Sequence, residues 1–277
     1  MAHHEMNFSN WQASWLSTEE QRTEDRFEEI VGNTPALRRM LKLAMKVARS
    51  DAPVLILGAT GSGKELIARA IHRTSARKNE SFVKLNCTLA PSAPGGLETA
   101  LFGQDATHDK SRKIGQIELA NQGTLFLDEI AHLSLDLQTK ILRLLERQEI
   151  GAGRNAINVR LIATTEYDLG ERVARETFLG DLYDQLNLFP IQVPALCERR
   201  DDIPLLARYF MQKFARRQKK NVETIPAEII SFLTNFDWPG NVRQLENLIE
   251  RSVILTEGSA LQVPSAGLRL DHDAEPI

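Results

Sequence analysis

One short segment limits the folds open to this chain more than any other. The apolar run Pro53-Val54-Leu55-Ile56-Leu57 leads into Gly58-Ala59-Thr60-Gly61-Ser62-Gly63-Lys64, and Leu66, Ile67, Ala70 and Ile71 then recur at helical spacing. A short run that is apolar on both faces suits a strand buried in a parallel sheet. The residues between strand and helix fit Gly-x-x-x-x-Gly-Lys. In that pattern the glycines let backbone N–H groups wrap phosphate oxygens, and the helix N-terminus adds its positive dipole end. Lys64 would reach the β- and γ-phosphates. The general pattern continues with Ser or Thr as a magnesium ligand, whereas Glu65 follows here.

The remaining chain supplies partners for that strand. Ser81-Phe82-Val83-Lys84-Leu85, Thr124-Leu125-Phe126-Leu127, Val159-Arg160-Leu161-Ile162-Ala163 and Phe189-Pro190-Ile191-Gln192-Val193 read as further strands. Helical patterns run from Pro35 through Leu37, Met40, Leu41, Leu43 and Ala44, and through Leu137, Ile141, Leu144 and Leu145. Strands alternating with helices imply a three-layer α/β core with a parallel sheet. After Pro194 no strand signal remains, and three helical segments follow at about 203–218, 226–236 and 241–255. The last opens with Asn241 and has Gln244 three residues on, a capping-box spacing. The expected organisation is a polar leader over 1–28, an α/β core over 29–195, a small all-helical domain over 196–258 and a loose tail over 259–277.

A second motif lies on the third strand. Leu125-Phe126-Leu127-Asp128-Glu129 ends an apolar run in two carboxylates, at the sheet edge where ligands bind in open α/β folds. Asp128 is the candidate magnesium ligand, and Glu129 the candidate group that orients and polarises an attacking water. Two acids after a strand usually make a solvated turn. Following a phosphate loop, the catalytic reading is the better one.

Composition narrows the setting. The 277 residues carry 34 basic and 37 acidic side chains, a net charge of −3, so no global charge favours nucleic acid. The basic runs Lys110–Lys113 and Arg216–Lys220 read as solvated faces. No apolar run reaches membrane-span length, and Met1-Ala2-His3-His4-Glu5 has no signal-peptide character. Two cysteines, Cys87 and Cys197, suit a reducing compartment, so a cytoplasmic location is expected.

Further segments fall into a known pattern. They are Asn86-Cys87, Leu101-Phe102-Gly103, Gly123 to Ile130, Leu188-Phe189-Pro190, Asp202-Ile203-Pro204-Leu205-Leu206, and Trp238-Pro239-Gly240-Asn241-Val242-Arg243-Gln244-Leu245-Glu246-Asn247. With Gly58 to Ala68, they make the run from Ile30 to Leu255 resemble the AAA+ domain of bacterial sigma-54 activators, the enhancer-binding proteins. Glu65 is a trait of that family. The resemblance implies an AAA+ α/β core with a helical lid, ATP and Mg2+ as cofactors, and assembly with itself or a related AAA+ subunit into a ring. Members hydrolyse ATP between subunits to remodel sigma-54 RNA polymerase. By match, Asn86 restrains Glu129 as a switch partner, although a strand-end cap explains Asn86 equally well. Arg243 is the lid residue that senses the γ-phosphate. Val31 and Gly32 are counted with Gly58 to Glu65 among the nucleotide-binding residues.

Three departures qualify that implication. The family's polymerase-contacting Gly-Ala-Phe-Thr-Gly-Ala is absent after Leu101-Phe102-Gly103, where Gln104 to Lys113 stand instead, so sigma-54 contact by this chain alone is not expected. The second surface loop, Ile150 to Asn158, is also abbreviated. Phe178-Leu179-Gly180-Asp181-Leu182-Tyr183-Asp184-Gln185-Leu186 matches the family's arginine-finger stretch but has Leu179 and Gln185 in place of both arginines. A finger is worth roughly 10³–10⁵ in rate, about 4–7 kcal/mol of barrier. Arg172 and Arg175, just upstream, read as solvated helix charges. In addition, Glu166 ends the fourth strand where the family has a neutral polar residue; beside a γ-phosphate it would set like charges together. The expected protein is an ATP-binding transcriptional regulator with weak or partner-dependent hydrolysis. The alternative is an active ATPase that remodels polymerase through a non-standard loop. No DNA-binding helix-turn-helix is expected after Leu255.

Overall fold

The computed structural model describes residues 30–88, 96–104, 113–147, 149–150 and 155–263. The expected leader, most of the substituted loop after Gln104 and the last fourteen residues lie outside this range. The core elements are α1 (Pro35–Ala48), β1 (Val54–Leu57), α2 (Lys64–Thr74), β2 (Phe82–Asn86), α3 (Gly96–Phe102), α4 (Gln116–Leu119), β3 (Thr124–Asp128) and α5 (Leu135–Arg147). They continue with β4 (Glu149–Ile150), β5 (Asn155–Ala156), β6 (Arg160–Thr165), α6 (Leu169–Ala174), α7 (Gly180–Leu186) and β7 (Pro190–Gln192).

Five parallel strands form one sheet in the order β2-β3-β6-β1-β7. Alternate side chains feed opposite layers, as the two-residue repeat of a strand requires. Leu55, Leu125, Leu127, Leu161 and Ala163 pack with Leu137 and Ile141 of α5 and Leu182 and Leu186 of α7. Val54, Ile56, Phe126, Ile162 and Ile191 pack with Leu37, Met40 and Ala44 of α1 and Ile67 and Ile71 of α2. The strand order matters for the site, because β6 lies between the strand that opens the phosphate loop and the strand that ends in Asp128. Residues just beyond β6 must therefore emerge between the two motifs.

The lid begins with a 3-10 segment, Leu196–Asp202, followed by α8 (Ile203–Gln218), α9 (Ala227–Asn235) and α10 (Asn241–Leu255). Its own core holds Leu206, Phe210, Phe214, Leu233, Trp238, Leu245, Ile249 and Val253. The Trp238 indole N–H donates to the Leu233 carbonyl at 2.8 Å, which satisfies its buried polar end. Two of the four basic residues in the run at the end of α8 are used locally: Arg217 pairs with Glu250, and Lys220 donates to the Thr256 carbonyl at 2.9 Å, while Arg216 and Lys219 are exposed.

Two expectations for the lid need correction. The capping box at Asn241 does not form. The Gly240 N–H donates to Gln244 Oε1 at 3.0 Å, but the Asn241 side chain is taken by long-range partners described below. The boundary at residue 258 is also too early. Ala260 bridges Thr224, the Leu261 N–H donates to the Thr224 carbonyl at 2.8 Å, and Leu261 is buried in the lid core. That parallel bridge is a strand-like contact where the sequence showed none. Ala260-Leu261-Gln262-Val263 is too short a run to carry a periodic signal, so sequence patterning assigns it to a tail.

Candidate nucleotide-binding site

The loop between β1 and α2 closes around Lys64, which is only 7% exposed. Its ammonium donates to the Gly58 carbonyl at 2.7 Å and faces Glu129 Oε1 at 2.8 Å. Gly61 has φ 76°, and a Cβ there would collide with the Gly240 carbonyl of the lid. Two independent reasons thus require glycine at this position. The Arg243 backbone N–H donates to the Gly61 carbonyl at 3.2 Å, so the first turn of α10 rests directly on the phosphate loop. The Arg243 side chain is exposed and has no ionic or hydrogen-bonding partner among the described residues.

The acidic pair is held from β6. Thr164 Oγ1 donates to Asp128 Oδ1 at 2.8 Å and accepts from the Glu129 N–H at 3.1 Å. Glu129 adopts a left-handed backbone, φ 59°, a conformation that L-residues adopt only when their surroundings hold it. Its second oxygen accepts from the Glu166 N–H at 3.1 Å, and Glu166 Oε2 in turn accepts from Thr60 Oγ1 at 2.6 Å. A continuous chain of contacts therefore joins the end of β6, the candidate base and the phosphate loop.

Lys84 was not singled out in the sequence as more than a strand residue. Its ammonium lies 2.6 Å from Glu65 Oε2 and 3.3 Å from Asp128 Oδ2. Arg69, one turn along α2, holds the other Glu65 oxygen at 2.7 Å. Burial acts to raise the Glu65 pKa, but the bonds and charges of Lys84 and Arg69 outweigh it and keep the carboxyl below its ordinary value. Glu65 is thus held by two cations, whereas Asp128 meets one, the Lys84 ammonium, at a longer distance.

Asn86 stands opposite Asp128 in the sheet register. Its side-chain oxygen, however, accepts from the Thr88 N–H at 2.9 Å and from Thr88 Oγ1 at 2.7 Å. Of the two readings in the sequence, this is the strand-end cap; the structure does not bring Asn86 onto Glu129. The neighbouring Cys87 is buried, and burial, aided by the charges of Asp128 and Glu129, pushes its thiol pKa up to about 12.

The lid grips the core through three residues whose part in that contact sequence reasoning did not assign. Asn241 donates to the Thr60 carbonyl at 3.0 Å and accepts from the Leu196 N–H at 2.8 Å. Buried Arg199 donates to the Ser62 carbonyl at 3.1 Å. Buried Asp202 accepts from the Asn33 N–H at 2.5 Å, the Thr34 N–H at 3.0 Å and Thr34 Oγ1 at 2.8 Å. Gly32, with φ 149°, passes so close that a Cβ would lie 2.7 Å from Asp202 Oδ2, and Val31 packs against the lid core. The sequence signal available for these contacts was a run of charges after Pro194, and charge runs are most often solvated.

This arrangement fits a magnesium nucleotide. Ser62 Oγ and Arg199 Nε are buried without hydrogen-bond partners, which is costly unless a ligand or water meets them. The N-terminus of α2 has no side-chain cap, and a Cβ on Gly63 would meet nothing within 4 Å, leaving open space above the loop. Lys64, Arg243 and the N-terminus of α2 could supply positive charge to phosphates, and Asp128 could offer a carboxylate to the metal.

The parallel sheet, phosphate loop, acidic strand end and helical lid define a P-loop ATPase domain of the AAA+ type. Residues 30–192 match the model of the Sigma-54 interaction domain, and residues 197–271 match that of the AAA+ ATPase lid domain. The chain belongs to the sigma-54 activator family. It is 48% identical over 260 residues to the formate hydrogenlyase transcriptional activator FhlA of Escherichia coli, covering 91% of this chain and 37% of that protein. It is 44% identical over 255 residues to the transcriptional regulatory protein ZraR of Escherichia coli, covering 90% and 57%. The crystal structure of NtrX from Brucella abortus in complex with ATP superposes with a TM-score of 0.77 at 37% identity, covering 87% of this chain and 54% of that one. The chain thus spans roughly a third to three-fifths of the length of these proteins.

Proposed function

We propose that this chain is the ATP-binding module of a sigma-54-type transcriptional regulator, with hydrolysis that is weak or depends on a partner subunit. The observation that carries the reading is the convergence of Lys64, Glu129, Asp128 and Arg243 on one sheet edge, with the first two in contact at 2.8 Å. In this reading ATP lies on Gly58 to Lys64, beside Val31 and Gly32. Asp128 holds Mg2+, Glu129 polarises water, and Arg243 answers to the γ-phosphate. The module works in the cytoplasm, in a ring with itself or a related AAA+ subunit. No helix among the described residues is long and apolar enough to cross a membrane.

The hydrolysis claim rests on α7. Leu179 is half-buried against the core and its N–H donates to Gln138 Oε1 at 2.8 Å; Gln185 is exposed. Neither side chain can place positive charge on a neighbour's transferring phosphoryl group, a contribution worth roughly 10³–10⁵ in rate. Arg175 pairs with Glu171, and the Arg172 guanidinium stacks 4.1 Å from the Tyr167 ring centroid, so both have roles within their own helix region.

The test is ATP turnover by the purified protein over a range of concentrations, with Lys64→Ala as control. Weak turnover that does not climb with concentration supports the reading; robust turnover that rises with self-assembly refutes it. Lys64→Ala should abolish nucleotide binding. The alternative is polymerase remodelling through the substituted loop, whose flanking residues Gln104 and Lys113 pair in an antiparallel bridge. A pull-down with sigma-54 and a transition-state analogue distinguishes them: we expect no stable complex with this chain alone.

A further inference from the structure

Three carboxylates around the phosphate loop each face a cation. Glu129 faces Lys64 at 2.8 Å, Asp128 faces Lys84 at 3.3 Å, and Glu65 is shared by Arg69 at 2.7 Å and Lys84 at 2.6 Å. Glu166 differs. Its exposed carboxylate has no cation partner among the described residues and accepts only from the Thr60 hydroxyl, at 2.6 Å.

Its position follows from the topology. β6 lies between β1 and β3, so Glu166, one residue past its end, emerges between the phosphate loop and the acidic pair. Its N–H donates to Glu129 Oε2 at 3.1 Å while its carboxylate holds the loop at Thr60. A γ-phosphate must meet Lys64 and face the base at Glu129. An uncompensated negative charge tied to both the base and the loop therefore borders the terminal phosphate of a triphosphate. A diphosphate has no group there.

We propose that Glu166 is a specificity-determining residue that makes this site favour nucleoside diphosphate over triphosphate. The inference rests on the nucleotide-binding reading above. The two lysines and the loop N–H groups attract both nucleotides; on the γ-phosphate alone Arg243 attracts and Glu166 repels, and of these two Glu166 is the one fixed in place, on Thr60, while Arg243 is exposed without a partner among the described residues.

Glu166→Gln removes the charge and keeps a side-chain oxygen that accepts from Thr60. The experiment titrates fluorescent ADP and a non-hydrolysable fluorescent ATP analogue, each with Mg2+, into the wild-type chain, Glu166→Gln, Glu166→Asp and Lys64→Ala. Wild type should bind the diphosphate more tightly. Glu166→Gln should narrow the preference roughly tenfold, through tighter triphosphate binding, as expected for one partly screened charge a few ångströms away. Glu166→Asp, which keeps the charge, should retain the preference. An unchanged ratio in Glu166→Gln overturns the inference and leaves nucleotide binding standing. A ratio narrowed equally in Glu166→Asp overturns it too, since shape would then be the cause. If neither nucleotide binds wild type, or both bind Lys64→Ala as well as they bind wild type, the nucleotide reading itself fails and takes this inference with it.

Discussion

The Lys64 ammonium and the Glu129 carboxylate are in contact at 2.8 Å, so the group that should hold phosphate and the group that should activate water neutralise each other. Nucleotide entering the loop would compete with Glu129 for the Lys64 ammonium. Glu129→Gln should therefore tighten nucleotide binding severalfold, because one partner of a largely buried ion pair no longer competes for Lys64. The same variant should lower turnover by about 10²–10⁴, the usual contribution of a general base. Equilibrium fluorescence titration reads the first effect and phosphate release the second. Weaker binding in Glu129→Gln would mean that the pair supports the loop and does not block it.

Lys84 sits where a metal held by Asp128 would feel it, 3.3 Å from Asp128 Oδ2. An ammonium there competes with a divalent cation for the same carboxylate. Lys84→Met should lower the Mg2+ concentration needed for half-maximal nucleotide binding, by about threefold for a partly exposed pair. A magnesium titration of bound fluorescent nucleotide measures this; a higher requirement would show that Lys84 assists the metal.

Asp202 carries the junction between lid and core. Asp202→Ala leaves the Asn33 and Thr34 N–H groups without their acceptor beneath the lid. The expected loss is about 2–4 kcal/mol, or about 5–10 °C in Tm for a chain of this size. Differential scanning calorimetry decides it, and a Tm within 2 °C of wild type, roughly the shift from 1 kcal/mol or less, would count against the contact.

The two thiols should separate chemically. Cys197 is exposed, while Cys87 is buried with its pKa pushed up to about 12. Since the thiolate is the reactive species, an aromatic disulfide reagent at pH 8 should modify one thiol per native chain and both in denaturant. Cys87 becomes appreciably ionised only as pH approaches its raised pKa, so its labelling should accelerate steeply above about pH 10. Two fast thiols at pH 8 would show that the segment after β2 opens readily.

The sheet and both principal motifs were legible because burial on two faces writes continuous apolar runs, and phosphate binding needs glycines at fixed spacing. Val54–Leu57, Thr124–Asp128 and Arg160–Thr165 fall within two residues of the expected strands. Strand order was not legible, since patterning reports that a strand is buried and not which strand lies beside it. For the same reason Glu166 was suspect by position, while its bond to Thr60 was invisible. Lys84, Arg199 and Asp202 escaped assignment, and Asn241 was assigned only a local cap, because each acts across long sequence distances. The Asn241 case is instructive: a spacing that suits a local cap was overridden when a partner 181 residues away offered its carbonyl.

That same carboxamide spans two bodies at once, with the Thr60 carbonyl at 3.0 Å on one side and the Leu196 N–H at 2.8 Å on the other. One side chain thus acts as a pin between them: a lid that tilted would pull on the phosphate loop through this single pair of hydrogen bonds. By reciprocity of linkage, if phosphate in the loop shifts the lid through this joint, a force that shifts the lid must change nucleotide affinity by the same free energy.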